Sequence, residues 1–430
     1  MGEISLRRLW VLMVTAFVDM LGYALVLPLL PLYAKDFGAN AFTIGLLLAG
    51  FAFAQLLTAP LWGRLSDRVG RRPVIVGGQA LAAVAFALFA AASVLPRAEG
   101  GQWTWPVWIL LVSRLAQGAG GGSISANHAY VADAVQPEQR AQALGWITAA
   151  SSAGVMIGPA IGSLSLAWTG HDAAPGLISA GLCALNVLFA WRWLPESTTQ
   201  ETRDTPRARQ PLLANVAAVA RHPARPVHTL IWVYASGLLA FMAASSVMAL
   251  YLSDRFGVGK EQIGYFYVVI GFVSVVMRAL VLGWAVRLLG EVRVLRAGAL
   301  AIAAGLVIAP VAASPVTFLL AILFIPLGTA LLFPSTTSLI SRYAPANEVG
   351  ELYGVQQAFG GSSRLLAPIW AGAAYQLWPP SPAAGFGGAL PYWISAGILV
   401  LTLCAALRIR PGEAPKPRES GEPEGSVVEA

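Results

Sequence analysis

Charged residues are scarce in this chain of 430 residues. Asp, Glu, Lys and Arg together make up 11% of the sequence, whereas hydrophobic residues make up 57%. A soluble domain has roughly 25% charged residues. So few polar side chains cannot cover the surface of a protein in water. The composition therefore excludes a soluble globular domain and indicates a protein embedded in a membrane.

Cysteine and histidine are also rare, with two and four residues in the chain. Cys183 and Cys404 lie inside apolar runs without metal-ligand spacing, so we interpret them as small core residues. The sequence contains no phosphate-binding P-loop, and its few polar residues suggest no set of nucleophile, base and orienting group. We predict neither an ATP-driven pump nor an enzyme, and we expect no cofactor and no metal.

The formal net charge of +7 could suggest a nucleic-acid partner. The basic residues, however, lie in short segments between long apolar runs, which is typical of the cytoplasmic loops of membrane proteins. We therefore predict a lipid bilayer as the surroundings and no nucleic acid.

A membrane-spanning helix needs about 20 mostly apolar residues. By this measure the sequence predicts twelve spans, at residues 9–33, 42–62, 74–95, 106–131, 141–167, 175–194, 227–252, 262–284, 294–313, 315–339, 352–377 and 391–408. We expect the first run to remain in the mature protein as a span, because it is too long for a secretory signal and contains Asp19.

The basic residues predict the orientation of these spans. Twenty-one of the 28 lie in segments on the side of the N-terminus, and only Lys35, Arg97, Arg255 and Lys260 lie in segments on the other side. Basic loops stay in the cytoplasm. We therefore predict a multi-pass protein of the cell (inner or plasma) membrane with both termini in the cytoplasm.

The longest polar segment divides the chain into two sets of six spans. We predict an all-α fold of two pseudo-symmetric six-helix bundles at residues 1–194 and 227–410, a cytoplasmic loop at 195–226 with a surface helix over 211–221, and a disordered tail at 411–430. Glycine pairs support an internal repeat, because Gly63 and Gly70 recur as Gly283 and Gly290. Two-halved transporters carry such repeats around a site at the middle of the membrane.

The segment between spans 2 and 3 reads G-R-L-S-D-R-V-G-R-R-P-V-I from Gly63 to Ile75. Gly63 would let two helices approach closely, and Asp67 could accept hydrogen bonds from a helix N-terminus. The alternative is a solvated basic loop, which explains the arginines but not an aspartate between two glycines.

Span 4 contains R-L-A-Q-G-A-G-G from Arg114 to Gly121. An arginine in hydrocarbon costs at least about 2.5 kcal/mol, so it needs a partner or a water-filled cavity. The only acidic residue well inside any span is Asp19. At about 1.5 Å of rise per residue, the two lie within about 4 Å of the same depth, so we predict that they pair. A static structural pair is the alternative.

Span 5 carries five small or helix-bending residues in the pattern G-x8-G-x3-G-P-x2-G, namely Gly145, Gly154, Gly158, Pro159 and Gly162. Small residues permit close helix contact, and the proline removes one backbone donor and kinks the helix. Plain packing is the alternative to a functional role.

These three motifs resemble those of the major facilitator superfamily over residues 5–410, and within it the 12-span drug:proton antiporters, most of all the group with the tetracycline exporters. The resemblance implies a transporter that works by alternating access. It implies that Asp19 and Arg114 couple transport to protons, and that the span 5 motif is associated with export. It also implies a gating latch between the two halves, made of Gly63, Asp67, Arg68, Gly70, Arg71 and Arg72.

Two departures bear on the resemblance. Ser163 stands where the family usually has a second glycine, and residues 262–313 hold no histidine and only Glu291 as an acid. The tetracycline exporters carry further acidic and histidine residues in spans 8 and 9, so tetracycline itself is a doubtful substrate.

The sequence predicts a small-molecule substrate and a protein that works as a monomer. We interpret protonation of Asp19 as the event that loosens its pair with Arg114 and couples inward proton flow to export. Arg364 has no acid in the C-terminal spans to neutralise it, so it either contacts an anionic substrate or bonds to backbone carbonyls near Pro368. The candidates for substrate contacts are Tyr23, Gln117, Tyr234, Gln357 and Arg364.

Two other functions fit the same sequence. The first is uptake by proton symport, or transport of a lipid-like amphiphile, with the span 5 motif serving only packing. The second is a sensor or assembly protein that has kept the fold. A measurement of substrate-dependent proton movement would distinguish these functions, and no flux with any compound would favour the sensor or assembly protein.

Overall fold

The computed structural model describes residues 3–96, 101–122, 124–197, 212–345, 348–380 and 386–409. Below, the N-terminal half means residues 3–197 and the C-terminal half means residues 212–409. The described residues form helices and no strand.

The described residues of the N-terminal half form eight helices: α1 (Glu3–Val26), α2 (Leu30–Asp36), α3 (Ala41–Val69), α4 (Arg71–Ser93), α5 (Trp105–Gly121), α6 (Ile124–Ala134), α7 (Pro137–Thr169) and α8 (Ala174–Trp193). Several boundaries have local causes. Asn40 accepts a hydrogen bond from the Thr43 amide at the start of α3, and Gly70, with φ of +107°, separates α3 from α4. Left-handed backbone of this kind favours glycine.

The C-terminal half begins with α9 (Leu212–Arg221), which confirms the helix predicted over 211–221. The other helices are α10 (Pro226–Phe256), α11 (Lys260–Val276), α12 (Leu282–Leu289), α13 (Glu291–Ile308), α14 (Pro315–Ile322), α15 (Phe324–Tyr343), α16 (Val349–Leu377) and α17 (Leu390–Leu407). A π-helical turn, Met277–Val281, joins α11 to α12.

Within the described residues, ten helical segments are long and apolar enough to cross a membrane. Predicted span 4 is instead covered by α5 and α6, which lie on either side of residue 123, outside the described residues. Predicted span 11 is covered by the 29-residue helix α16. Two other predicted spans are each divided, since a turn around Pro28 separates α1 from α2 and Leu323 separates α14 from α15. The predicted tail at 411–430 lies outside the described residues.

The packing of the helices defines where the two halves meet. In the N-terminal half α1 lies along α7, and α4 lies against α5 and α8; in the C-terminal half α13 lies against α15, and α10 against α16 and α17. The halves meet mainly where α3 contacts α16 and α7 contacts α11. Glycines make both contacts close: Gly45 lies against the Pro368 backbone, and Gly264 lies against Pro159 and Ser163. Small residues let helix backbones approach in this way.

Candidate functional site

Arg114 is the most deeply buried charged side chain of the described residues, with 1% of its surface exposed. Its three guanidinium nitrogens have no hydrogen-bond partner there. The side chain projects from α5 beside Gly50 of α3, where an added methyl carbon would lie 3.8 Å from the Arg114 Cβ. A buried guanidinium normally makes several hydrogen bonds, so this one is available to a ligand or to water.

The predicted pair of Asp19 and Arg114 is not formed. The Asp19 carboxylate instead interacts with the side chain of Gln79 on α4. Gln79 Oε1 accepts a hydrogen bond of 3.1 Å from Asn186 Nδ2 of α8, and the same amide group donates to the Thr15 carbonyl at 3.3 Å. Position in the sequence determines depth in the membrane, but helix packing decides which neighbour a side chain faces, and α1 directs Asp19 toward α4 and α8. Gln79 and Asn186 were not predicted, although an isolated amide inside an apolar run was the available signal.

Tyr23, one turn after Asp19 on α1, lies close to the arginines of both halves. Its hydroxyl is within electrostatic range of Arg114 and of Arg364 on α16. The Tyr23 ring contacts the Phe51 ring of α3, with 5.1 Å between the ring centroids. The structure therefore brings together three predicted site residues, with an aromatic wall beside them.

The other substrate candidates lie around this position in different ways. Gln117, one turn beyond Arg114, is buried, and its Oε1 has no hydrogen-bond partner in the described part of the chain. Tyr234 packs edge-on against Phe333 at 5.4 Å between centroids, and Gln357 is exposed on α16. No described contact links Tyr234 or Gln357 to Arg114.

The segment between α3 and α4 forms a compact charge cluster. Arg71, 4% exposed, donates from Nε to Asp133 at 2.9 Å and from Nη1 to Asp67 at 2.7 Å. Glu196 accepts from the backbone amides of Arg71 and Arg72 at 2.8 and 3.3 Å. All of these contacts lie within the N-terminal half. Asp133 and Glu196 were missed as members of the cluster.

Two details of the sequence interpretation of this segment are wrong. Glu196, not Asp67, accepts the hydrogen bonds at the N-terminus of α4, because the end of α8 brings it to that helix end. Gly63 is not at a close helix contact, since an added methyl group there would meet nothing within 4 Å. Arg68 is exposed, and Arg72 donates to the Trp191 carbonyl.

The glycines of the span 5 motif differ in their surroundings. Gly154, Gly158 and Gly162 lie against the backbone of α1, where an added methyl group at Gly158 would be 2.8 Å from both the Ala24 Cβ and the Leu21 carbonyl oxygen. Gly145, in contrast, has nothing within 4 Å. Three of the four motif glycines therefore hold α7 against α1.

Pro159 and Ser163 lie where α7 meets α11 of the C-terminal half, against Gly264. Ser163 Oγ donates to the Lys260 carbonyl at 2.8 Å and accepts from the Gly264 amide at 2.9 Å. The serine that departs from the family pattern thus forms two hydrogen bonds between the halves.

Ion pairs join the halves at the same end of the molecule, which we call the outer end because the sequence predicts that it faces away from the termini. Lys260 of α11 pairs with Asp36 at 2.6 Å and with Asp172 at 3.2 Å. Lys35 pairs with Asp254 of the C-terminal half. These pairs close the outer end of the interface between the halves.

The protein thus has two helical halves and a buried guanidinium that has no hydrogen-bond partner among the described residues. Two-halved transporters carry their site near the middle of the membrane. The chain matches the model of the Major Facilitator Superfamily over residues 12–368 and again over 279–429. The protein therefore belongs to the Major Facilitator Superfamily, which confirms the resemblance.

Its relatives include drug-resistance proteins. The chain is 30% identical over 413 residues to the class C tetracycline resistance protein of Escherichia coli, covering 94% of this chain and 97% of that one. It is 27% identical over 372 residues to multidrug resistance protein 2 of Bacillus subtilis (strain 168), covering 85% and 88%. The protein is a multi-pass membrane transporter of this superfamily with drug-efflux relatives.

Solved structures share the fold. The human organic anion transporter MFSD10 (TETRAN) superposes with a TM-score of 0.67 at 24% identity, over 94% of this chain and all of that one. A D-xylose-proton symporter superposes with a TM-score of 0.71 at 16% identity, over 94% and 98%.

Proposed function

We propose that the protein is a secondary active transporter that exports a small amphipathic or anionic organic compound in exchange for protons. The observation that carries this proposal is the surroundings of Asp19. Its carboxylate interacts with the neutral Gln79 side chain and lies one helical turn from Tyr23. An ionisable side chain within a membrane helix marks a proton or substrate pathway.

Proton coupling follows from the cost of charge in hydrocarbon. An aspartate at the centre of a membrane helix costs about 2.5–3.5 kcal/mol when ionised, and protonation removes that cost. Neither Gln79 nor Asn186 carries a charge, so Asp19 can gain or lose a proton without breaking an ion pair. A change in its protonation therefore alters the relative stability of the states in which the cavity faces one side or the other.

Export is favoured by the drug-resistance relatives, and by the packing of Gly154, Gly158 and Gly162 on α1, the helix that carries Asp19. The fold is shared with a symporter, so the fold alone does not select the direction. In this proposal the protein acts as a monomer in the cell membrane with both termini in the cytoplasm. The proton gradient is its energy source, and it needs no cofactor.

The test is transport in proteoliposomes with an imposed pH gradient, using tetracycline, ethidium and 2-naphthoate as probes and an internal dye to record proton movement. We expect Asp19→Asn to abolish pH-driven accumulation of a transported probe but to retain exchange of labelled for unlabelled probe. Glu348→Gln, which changes an exposed carboxylate before α16, is the matched control and should behave like the parent protein.

Undiminished proton-coupled transport by Asp19→Asn would overturn the proposal. Protons and probe that move in the same direction would identify the symport alternative. No flux of any probe would favour the non-transporting sensor.

A further inference from the structure

We propose that Arg114 and Arg364, one from each half, bind the acidic group of an organic anion beside Tyr23. This inference rests on the proposed function and names the chemical class of the substrate at the same site. It also assigns Arg114 a substrate contact, where the sequence motif by itself implied only a part in proton coupling.

Arg114 supplies the first positive charge of the proposed site. Its guanidinium is buried beneath the surface, yet its nitrogens Nε, Nη1 and Nη2 have no partner in the described residues. The cost of such a charge falls only if an anion or water enters and accepts its hydrogen bonds. The guanidinium fork matches a carboxylate, which can accept two parallel hydrogen bonds.

Arg364 supplies the second positive charge of the proposed site. It lies on the face of α16 that runs along α3, between Gly361, where an added methyl group would be 3.3 Å from Leu56 Cδ1, and Pro368, which lies against Gly45. This face therefore points to the N-terminal half. The described acids of the C-terminal half all lie at or near helix ends: Asp254, Glu261, Glu291, Glu348 and Glu351. Glu351, on the same helix, is 13 residues away, which is about 20 Å at the helical rise.

Tyr23 joins the two arginines into one site. Its hydroxyl lies within electrostatic range of both guanidinium groups, and its ring packs on the Phe51 ring. Asp19 lies one turn from Tyr23 on the same side of α1, but its carboxylate interacts with Gln79, and no described hydrogen bond or ion pair joins it to either guanidinium. Two positive charges and an aromatic wall define a ligand with an acidic group attached to an apolar, preferably aromatic, body.

The experiment measures binding, without transport, to the full-length protein in detergent. The probes are 2-naphthoate and the neutral 2-naphthamide, which have the same ring system and differ in charge. We expect the carboxylate to bind at least about tenfold more tightly than the amide, because charge-assisted hydrogen bonds are about twice as strong as neutral ones. Arg364→Gln and Arg114→Gln should each remove most of this preference and leave amide binding nearly unchanged. Arg278→Gln, at an exposed arginine of the π-helical turn, is the matched control and should keep the preference.

Amide binding shows that each variant is folded. If Arg114→Gln does not fold, Arg364→Gln by itself tests the inference. Arg364 is only half-buried, so we expect this variant to fold. Equal affinities of the parent protein for carboxylate and amide, or an unchanged preference in Arg364→Gln, would overturn the inference. Failure of the proposed function is distinguishable, because it appears as normal proton-coupled transport in Asp19→Asn, whereas this test needs neither a gradient nor Asp19.

Discussion

The Lys260 ammonium group of the C-terminal half lies 2.6 Å from the Asp36 carboxylate of the N-terminal half. The same ammonium group lies 4.0 Å from the centroid of the Tyr33 ring, in cation–π geometry. Both partners belong to α2, the short helix after the turn around Pro28. These contacts join the two halves at the outer end, and in the proposed mechanism of alternating access they must break.

Lys260→Ala should shift the protein toward states that are open at the outer end. An exposed ion pair contributes about 0.2–1 kcal/mol, and a cation–π contact adds about 0.5–1 kcal/mol. Because Lys260 is only 19% exposed and makes both contacts, we expect its loss to shift the population about fivefold to tenfold. Distances between spin labels at His171 and Glu261, on a cysteine-free background, would report it. Arg342→Ala breaks a pair within the C-terminal half and should leave the distance unchanged. An unchanged distance in Lys260→Ala would show that the pair does not hold the halves together.

Gly158→Val should destabilise the N-terminal half. The new side chain would meet the Leu21 carbonyl oxygen and the Ala24 Cβ at 2.8 Å, so α1 and α7 must separate. Overpacking of this kind costs about 1–3 kcal/mol, which thermal unfolding in detergent would detect.

Gly145→Ala is the matched control for Gly158→Val, because it changes a glycine of the same helix and motif that has no neighbour within 4 Å. In a helix this change should be neutral or stabilise by about 0.5–1 kcal/mol. If the motif acts through backbone flexibility instead of packing, Gly145→Ala should impair transport as much as Gly158→Val does.

Arg71→Lys should loosen the charge cluster between α3 and α4, although it preserves the charge. The guanidinium contacts Asp133 through Nε and Asp67 through Nη1, and a single ammonium group cannot reproduce that fork. We expect the free energy of unfolding, measured by thermal unfolding in detergent, to fall by about 1.5–3 kcal/mol, as for the loss of a hydrogen bond to a charged group. The exposed Arg68→Lys should have little effect, and equal stability of the two variants would contradict the structural role of Arg71.

Some residue contacts were predictable because they depend on neighbours along one helix. The glycines at 154, 158 and 162 share one face of α7, so their spacing alone predicts a close helix contact. Asp19 differs, because the direction in which it points depends on how α1 is rotated against three other helices. Equal depth made Arg114 a plausible partner, whereas packing selected Gln79.

The contacts between the halves were not predictable in the same way. Ser163 seemed only to weaken a glycine motif, yet it bonds to Lys260 and Gly264 across the interface. Ser163 lies 97 residues before Lys260 and 101 before Gly264 in the chain, so no local sequence pattern indicates that these residues are in contact. Only the assembled helices determine that these groups meet.

The sequence by itself determined the membrane setting, the helical class, the superfamily and the lack of an acid in the C-terminal spans to neutralise Arg364. These properties follow from composition and from local helical geometry, which each segment carries by itself. Only the tertiary structure decided that Asp19 interacts with Gln79, that Arg114 and Arg364 both lie near Tyr23, and that Lys260 closes the outer end. Such relationships depend on the rotation and mutual approach of helices that are distant in the chain, and these are determined by packing over the whole molecule.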